Sequence, residues 1–195
     1  MPSIANSVKN KARLFFAVEL DQATKNQLEL LQHGNPVFTG RAVSPHNFHL
    51  TLQFLGAVDR QQLHDIAESI DVPSIKPFEI SANHYAYYPN TEIGCVEINQ
   101  GKAQLKNLKS HISRALASGG FRFPKDKHGF RPHITLFREC QPVGDIQQLL
   151  SLEFQVERFC LIESVQNEKG VYYEVIEEWP VYQPSIKEQF FGIKD

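Results

Sequence analysis

A chain of 195 residues, 42% of them hydrophobic, is long enough to bury one sizeable core. The net charge of -2 and pI near 6.4 exclude a surface coated in positive charge for gripping long nucleic acid, and leave room for a small phosphorylated ligand or an RNA end. Three cysteines form no C-x-x-C pair, no apolar run reaches the roughly 18 residues that span a bilayer, and "MPSIANSVKNKARLFF" lacks the apolar stretch of a signal peptide, so the expected setting is the cytoplasm.

In chain order, "RLFFAVEL" at Arg13 to Leu20 reads as a strand, and Asp21 is placed to cap the helix "QATKNQLELLQH". A polar, turn-forming stretch, "GNPVFTGRAVSPHN", leads to a second strand, "FHLTLQFLG", closed by Gly56. "DRQQLHDIAESI" predicts a helix, and "PFEISANHYAYY" with "TEIGCVEIN" predicts a β-hairpin turning at Pro89 and Asn90. In "KAQLKNLKSHISRALASGG" the apolar residues Leu105, Leu108, Ile112 and Leu116 recur at helical spacing, and Gly119 and Gly120 end the helix. After the basic loop "FRFPKDKHGF" comes "RPHITLFR", another strand. The remainder predicts a short helix near "DIQQLL" and two strands, "EFQVERFCLIES" and "GVYYEVIEEW". Strands and helices alternate around a central hairpin, which points to an α+β protein with antiparallel pairing.

One internal repeat reorganises this reading: "HLTLQF" at His49 recurs as "HITLFR" at His133. Strand side chains alternate between faces, so His49 and Thr51 share one face while Leu50 and Leu52 share the other. His133 and Thr135 are set against Ile134 and Leu136 in the same way. The aliphatic pairs are expected to pack on helices, and the His/Thr pairs to look into a groove between two similar lobes. Two imidazoles across a groove suit proton transfer at neutral pH, one accepting while the other donates. Threonine hydroxyls and the guanidinium of Arg138 suit phosphoryl oxygens. Strict alternation sends Arg138, five residues after His133, to the wrong face, so a bulge or the strand's end must turn it inward. The first motif has Phe54 at that position, so the two halves are unequal.

Other readings compete for these residues. A lone strand histidine is more often structural than catalytic. His46 and His49 have an H-x-x-H spacing, but on a strand that offset points the rings to opposite faces and no cysteine pair completes a zinc site. His33, His64, His84, His111 and His128 read as solvated or capping residues, and Phe15, Phe16 and Phe48 as core. Lys125 and Lys127, with Arg41, Arg131 and Arg138, are expected to form a local basic rim.

The chain resembles the 2H phosphoesterases, defined by paired H-x-T motifs, and within them the RNA 2',3'-cyclic phosphodiesterases, also called 2'-5' RNA ligases. The resemblance runs from "RLFFAVEL" through "NFHLTLQFLG" and "FRPHITLFR" to "YYEVIEEWPV". It implies an α+β, bilobal, pseudo-two-fold fold, with two antiparallel sheets facing a central cleft and helices outside. Residues 1–195 would then form one such domain, with residues 1–10 a flexible N-terminal segment. The activity implied is opening of a 2',3'-cyclic phosphate to a 2'-phosphomonoester, with reversible 2'-5' ligation as a second reaction, and with no metal and no cofactor. Carried over, His49 is the proton donor and His133 the proton acceptor, while Thr51, Thr135 and Arg138 bind the phosphate. The partners implied are RNA termini or nucleotides bearing the cyclic phosphate, met by a monomer and away from any membrane. The alternatives are a nucleotide- or RNA-end-binding protein with little catalysis, and the same chemistry on a non-RNA cyclic phosphate.

Overall fold

A computed structural model describes residues 10–34, 37–123, 129–168 and 170–184. The expectations for residues 1–9, Lys125, Lys127 and His128 lie outside them. Among the described residues, nine strands form one antiparallel sheet in the order β7-β4-β5-β6-β3-β1-β8-β9, with β2 also pairing β6. The elements are β1 Lys11–Glu19, α1 Gln22–Gly34, β2 Phe38–Ala42, β3 His49–Asp59, α2 Leu63–Glu68, β4 Phe78–Tyr88, β5 Ile93–Gln100, α3 Lys102–Ser118, β6 His133–Pro142, β7 Leu149–Val156, β8 Arg158–Asn167 and β9 Gly170–Pro180. The order is near-symmetric about β6 and β3, and these two central strands share only one registered pair, Leu50 with Ile134. Two half-sheets therefore meet at a narrow seam. The strands carrying the repeated motif line it.

Helices α1 and α3 tie the halves together. Asp21 caps α1, its Oδ1 accepting from the Thr24 backbone N–H at 2.7 Å. The far end of α1 reaches under β6, where the Gln32 side-chain amide donates to the Leu136 carbonyl at 2.7 Å and to that of Val43 at 3.0 Å. Helix α3 buries Leu105, Leu108, Ile112 and Leu116, as its spacing predicts, and lies against β3. There Lys109 Nζ donates to the Leu52 carbonyl at 3.0 Å. Leu50, Leu52, Ile134 and Leu136 are all buried on this helix side.

Several predicted elements change. Strand β2 arises within the stretch read as a turn. Its Gly40, at φ +149, passes so close to β6 that a Cβ there would lie 2.6 Å from Cys140 Cα, which is why only glycine lets this polar segment pair. Strand β3 does not stop at Gly56, which instead pairs with Leu14 in a left-handed conformation at φ +78. The helix read over "DRQQLHDIAESI" shrinks to a 3-10 turn at Arg60–Gln62 followed by α2. No helix forms at "DIQQLL": its last two residues open β7, whose buried positions alternate strictly because β7 is half exposed. The strand read over "EFQVERFCLIES" is in fact two. Glu157 alone separates β7, which pairs with β4, from β8, which pairs with β1. No helix among the described residues is long and apolar enough to cross a membrane.

Candidate active site

The seam between β3 and β6 holds the repeated residues, and the two copies match in backbone detail. Opposite β1, Ala17 registers with Thr51 but Phe16 with Gln53, so β3 carries one extra residue after its threonine. Opposite β5, Cys95 registers with Thr135 but Gly94 with Phe137, so β6 carries an extra residue at the same place. A bulge re-aims the side chains beyond it. This one returns Phe54 and Arg138 to the face of the histidines, and it resolves the alternation problem posed by Arg138. Phe54 is exposed, its ring 5.9 Å from that of Phe15, which in turn lies 4.9 Å from His49. Arg138 is near enough to both histidines to oppose protonation of each.

The rings are held alike. His49 Nδ1 lies 2.7 Å from the carbonyl oxygen of Asn47, and His133 Nδ1 lies 2.8 Å from that of Arg131. A carbonyl can only accept, so each Nδ1 carries the hydrogen and each Nε2 is left to act as base or, once protonated, as acid. Thr51 Oγ1 lies 3.0 Å from His49 Nε2 and donates to it while that ring is neutral. Each imidazole also meets a tyrosine edge-on: Tyr173 at 4.9 Å and 89° from His49, and Tyr88 at 5.3 Å and 90° from His133. Thr135 lies half-buried on β6 beside His133.

Burial lowers the pKa of His49 to about 4, with Arg138, His133 and Lys25 adding to the effect and the Asn47 carbonyl opposing it. Burial lowers that of His133 too, but there the Arg131 carbonyl and Glu97 push back. At neutral pH both rings are therefore neutral. A cavity of about 360 Å³ opens beside them, bounded by Thr51 and Phe54 of β3, Tyr88 and Asn90 at the hairpin turn, and Phe130, Arg131 and His133. Its walls combine aromatic faces with the Arg131 guanidinium, which lies 6.0 Å from the centre of the Tyr88 ring.

Elsewhere the predicted residues scatter. Arg41 leaves the basic rim to pair with Glu139, at 2.8 and 3.3 Å. His64 and His111 face carboxylates, and Phe16 and Phe48 are core, whereas Phe15 is buried on the cleft face against His49. Among the described residues, Glu19, Cys160 and Glu178 are the one group of three potential metal ligands. Glu19 is paired with Lys25 and Glu178 with Arg158, and burial pushes the Cys160 thiol up to about 12. Tyr88, Tyr173 and Glu97 were not foreseen. The one signal for Glu97 was a glutamate at or near the end of the strand preceding each long helix, Glu19 and Glu97, with a lysine a few residues on.

Solved structures share this fold. E. coli LigT complexed with 3'-AMP superposes with a TM-score of 0.76 at 24% identity, over 89% of this chain and 99% of its own. A crystal structure of a Thermus thermophilus protein gives 0.68 at 26% identity, over 87% and 98%. These likenesses define the LigT-like α+β fold. The family model described as LigT like phosphoesterase matches residues 18–95. The RNA 2',3'-cyclic phosphodiesterase of Thermus thermophilus is 31% identical over 189 residues, covering 92% of this chain and 96% of that protein. The protein of the same name from Archaeoglobus fulgidus is 30% identical over 173 residues, covering 83% and 96%. The chain belongs to the 2H phosphoesterases, in the LigT-like family of the RNA 2',3'-cyclic phosphodiesterases.

Proposed function

We propose that this protein hydrolyses 2',3'-cyclic phosphates, on RNA ends or on nucleotides, to 2'-phosphomonoesters, with reversible 2'-5' ligation, in which a 5' hydroxyl attacks phosphorus in place of water, as a second reaction. The observation that carries the reading is the pair of imidazoles at the seam locked in one tautomer by their Nδ1 hydrogen bonds, which leaves Nε2 of each, that of His49 beside the Thr51 hydroxyl, to gain or lose the proton. His133 Nε2 takes a proton from water as the water oxygen attacks phosphorus. The bond from phosphorus to the 3' oxygen breaks, and protonated His49 Nε2 supplies the proton that oxygen needs. Thr51, Thr135 and Arg138 donate to the phosphoryl oxygens, whose charge shifts as the ring opens. Phe54 and Phe130 offer faces on which a base can stack.

The decisive experiment is incubation with 2',3'-cyclic AMP in excess EDTA, with the product isomer identified. Turnover to 2'-AMP is expected to survive chelation, since the proposed steps need only imidazoles, hydroxyls and a guanidinium. Formation of 3'-AMP, or loss of turnover restored by zinc or magnesium, would overturn the reading.

The depressed imidazoles set the pH dependence. The productive form has His133 neutral and His49 protonated, and above pH 6.5 its share of the free enzyme falls as pH rises, because His49 alone titrates near 4. The maximum of kcat/KM is therefore expected below pH 6.5. That of kcat should lie higher, because a bound phosphate anion favours the imidazolium. Initial rates across mildly acidic to mildly alkaline pH check this, and a kcat/KM still rising at pH 8 would sink it.

A further inference from the structure

Each histidine at the seam has a glutamate directly opposite it on the neighbouring strand: Glu19 of β1 registers with His49, and Glu97 of β5 with His133. Residues directly opposite in a ladder share a face, so both carboxylates lie on the histidine side of the sheet. Each is paired with a lysine of the helix that follows. Lys25 Nζ is 3.6 Å from Glu19, and Lys102 Nζ is 3.3 Å from Glu97. The two copies differ in which partner is sheltered. Beside His49 the cation is the inner group, Lys25 being 13% exposed and Glu19 42%; beside His133 it is the anion, Glu97 being 23% exposed and Lys102 47%.

We propose that Glu97 is a positioning residue for the base: from across the β5–β6 ladder its carboxylate stabilises the imidazolium that His133 becomes on taking a proton from water, while Lys102 limits how strongly it does so. The proposal rests on the reading of His133 as proton acceptor. Sheltered charge acts more strongly than solvated charge, so the inversion between the two copies gives them opposite characters. Lys25 presses the proton off His49, as an acid requires, and Glu97 draws one onto His133, as a base requires. The other groups facing His133 are Arg131 and Arg138 of its own segment, Tyr88 of β4 and His49 across the seam. Arg138 opposes protonation of His133, and burial keeps the Tyr88 hydroxyl and the neighbouring Cys95 thiol neutral. Among these groups Glu97 is the one anion.

The test is a substrate-free NMR titration of His133 in the wild type, Glu97→Gln and Lys102→Met, beside kcat and KM for 2',3'-cyclic AMP. In Glu97→Gln, His133 should titrate at lower pH and kcat should fall about three- to tenfold, with KM little changed because Glu97 is not placed against substrate. In Lys102→Met it should titrate at higher pH. Glu19→Gln, the equivalent change in the other copy, should leave His133 where it is. A purely structural Glu97 would not move the two variants in opposite directions. Shifts of the same sign, an unmoved His133, or a moved His133 with unchanged kcat would each overturn the proposal. Failure of the wild type to open the cyclic phosphate would overturn the proposed function and the catalytic part of this inference, while the titrations would still decide the coupling of Glu97 to His133.

Discussion

His133→Ala and His49→Ala are each expected to lower kcat for 2',3'-cyclic AMP about 10²- to 10⁴-fold while the protein stays folded. Each imidazole sits on the seam, and the apolar core lies on the opposite face of its strand, with Ile134 and Leu136 flanking one motif and Leu50 and Leu52 the other. What alanine removes from the fold is, at each site, one hydrogen bond to a carbonyl and an edge contact with a tyrosine, and at His49 also the hydrogen bond with Thr51 and the ring contact with Phe15. The double variant should cost little more than either single one, because acid and base serve one transition state. Thermal unfolding and circular dichroism would establish that each variant is folded, and single-turnover rates would give the loss. A folded variant with near wild-type turnover would remove that histidine from the mechanism.

The second large effect is expected at Arg138. Hydrogen bonds from a charged group contribute about 1.5–3 kcal/mol, so Arg138→Ala should lower kcat/KM roughly 10- to 10²-fold, with kcat and KM both affected. Arg138→Lys keeps the charge and loses the planar fork, and should restore only part of the loss. The competing account gives Arg138 a carboxylate partner, the exposed Glu139 or the buried Glu163. Glu139 is held by Arg41 and Glu163 by Arg60. Arg138 also lies directly opposite Arg41 in the β2–β6 ladder, so its removal relieves a like-charge pair and should not destabilise the protein. Kinetics of both variants, with unfolding midpoints beside them, test the two accounts together. Wild-type kcat and KM in Arg138→Ala would remove it from the site.

What could be read in the sequence is what local periodicity dictates. The paired motifs, their two faces, helix α3, the Asp21 cap and the hairpin follow from spacing and turn chemistry alone. That a bulge or the strand's end must turn Arg138 was also legible, since unbroken alternation and phosphate binding could not both hold, but the choice of a bulge and its recurrence in β3 were not. The errors fall where tertiary contacts override local pattern. "FTGRA" lacks strand character until β6 lies beside it, and "DIQQLL", which runs into the start of β7, reads as a helix when the sheet edge is out of view. Glu97 escaped because its partner is set by register, which depends on both strands at once.

The single-residue step at Glu157 has a consequence for how the molecule forms. Strand β1, with Phe15 and Phe16, is made well before β8, yet on one side it pairs with that strand, Ala17 meeting Cys160. During synthesis this aromatic strand keeps an unpaired edge until β8 has been made, and pairings so distant in sequence are slow to form. Truncation before β8 would leave that edge open for good. A split between β7 and β8 would yield no two self-sufficient pieces, because β8 and β9 extend the sheet from the open edge of β1.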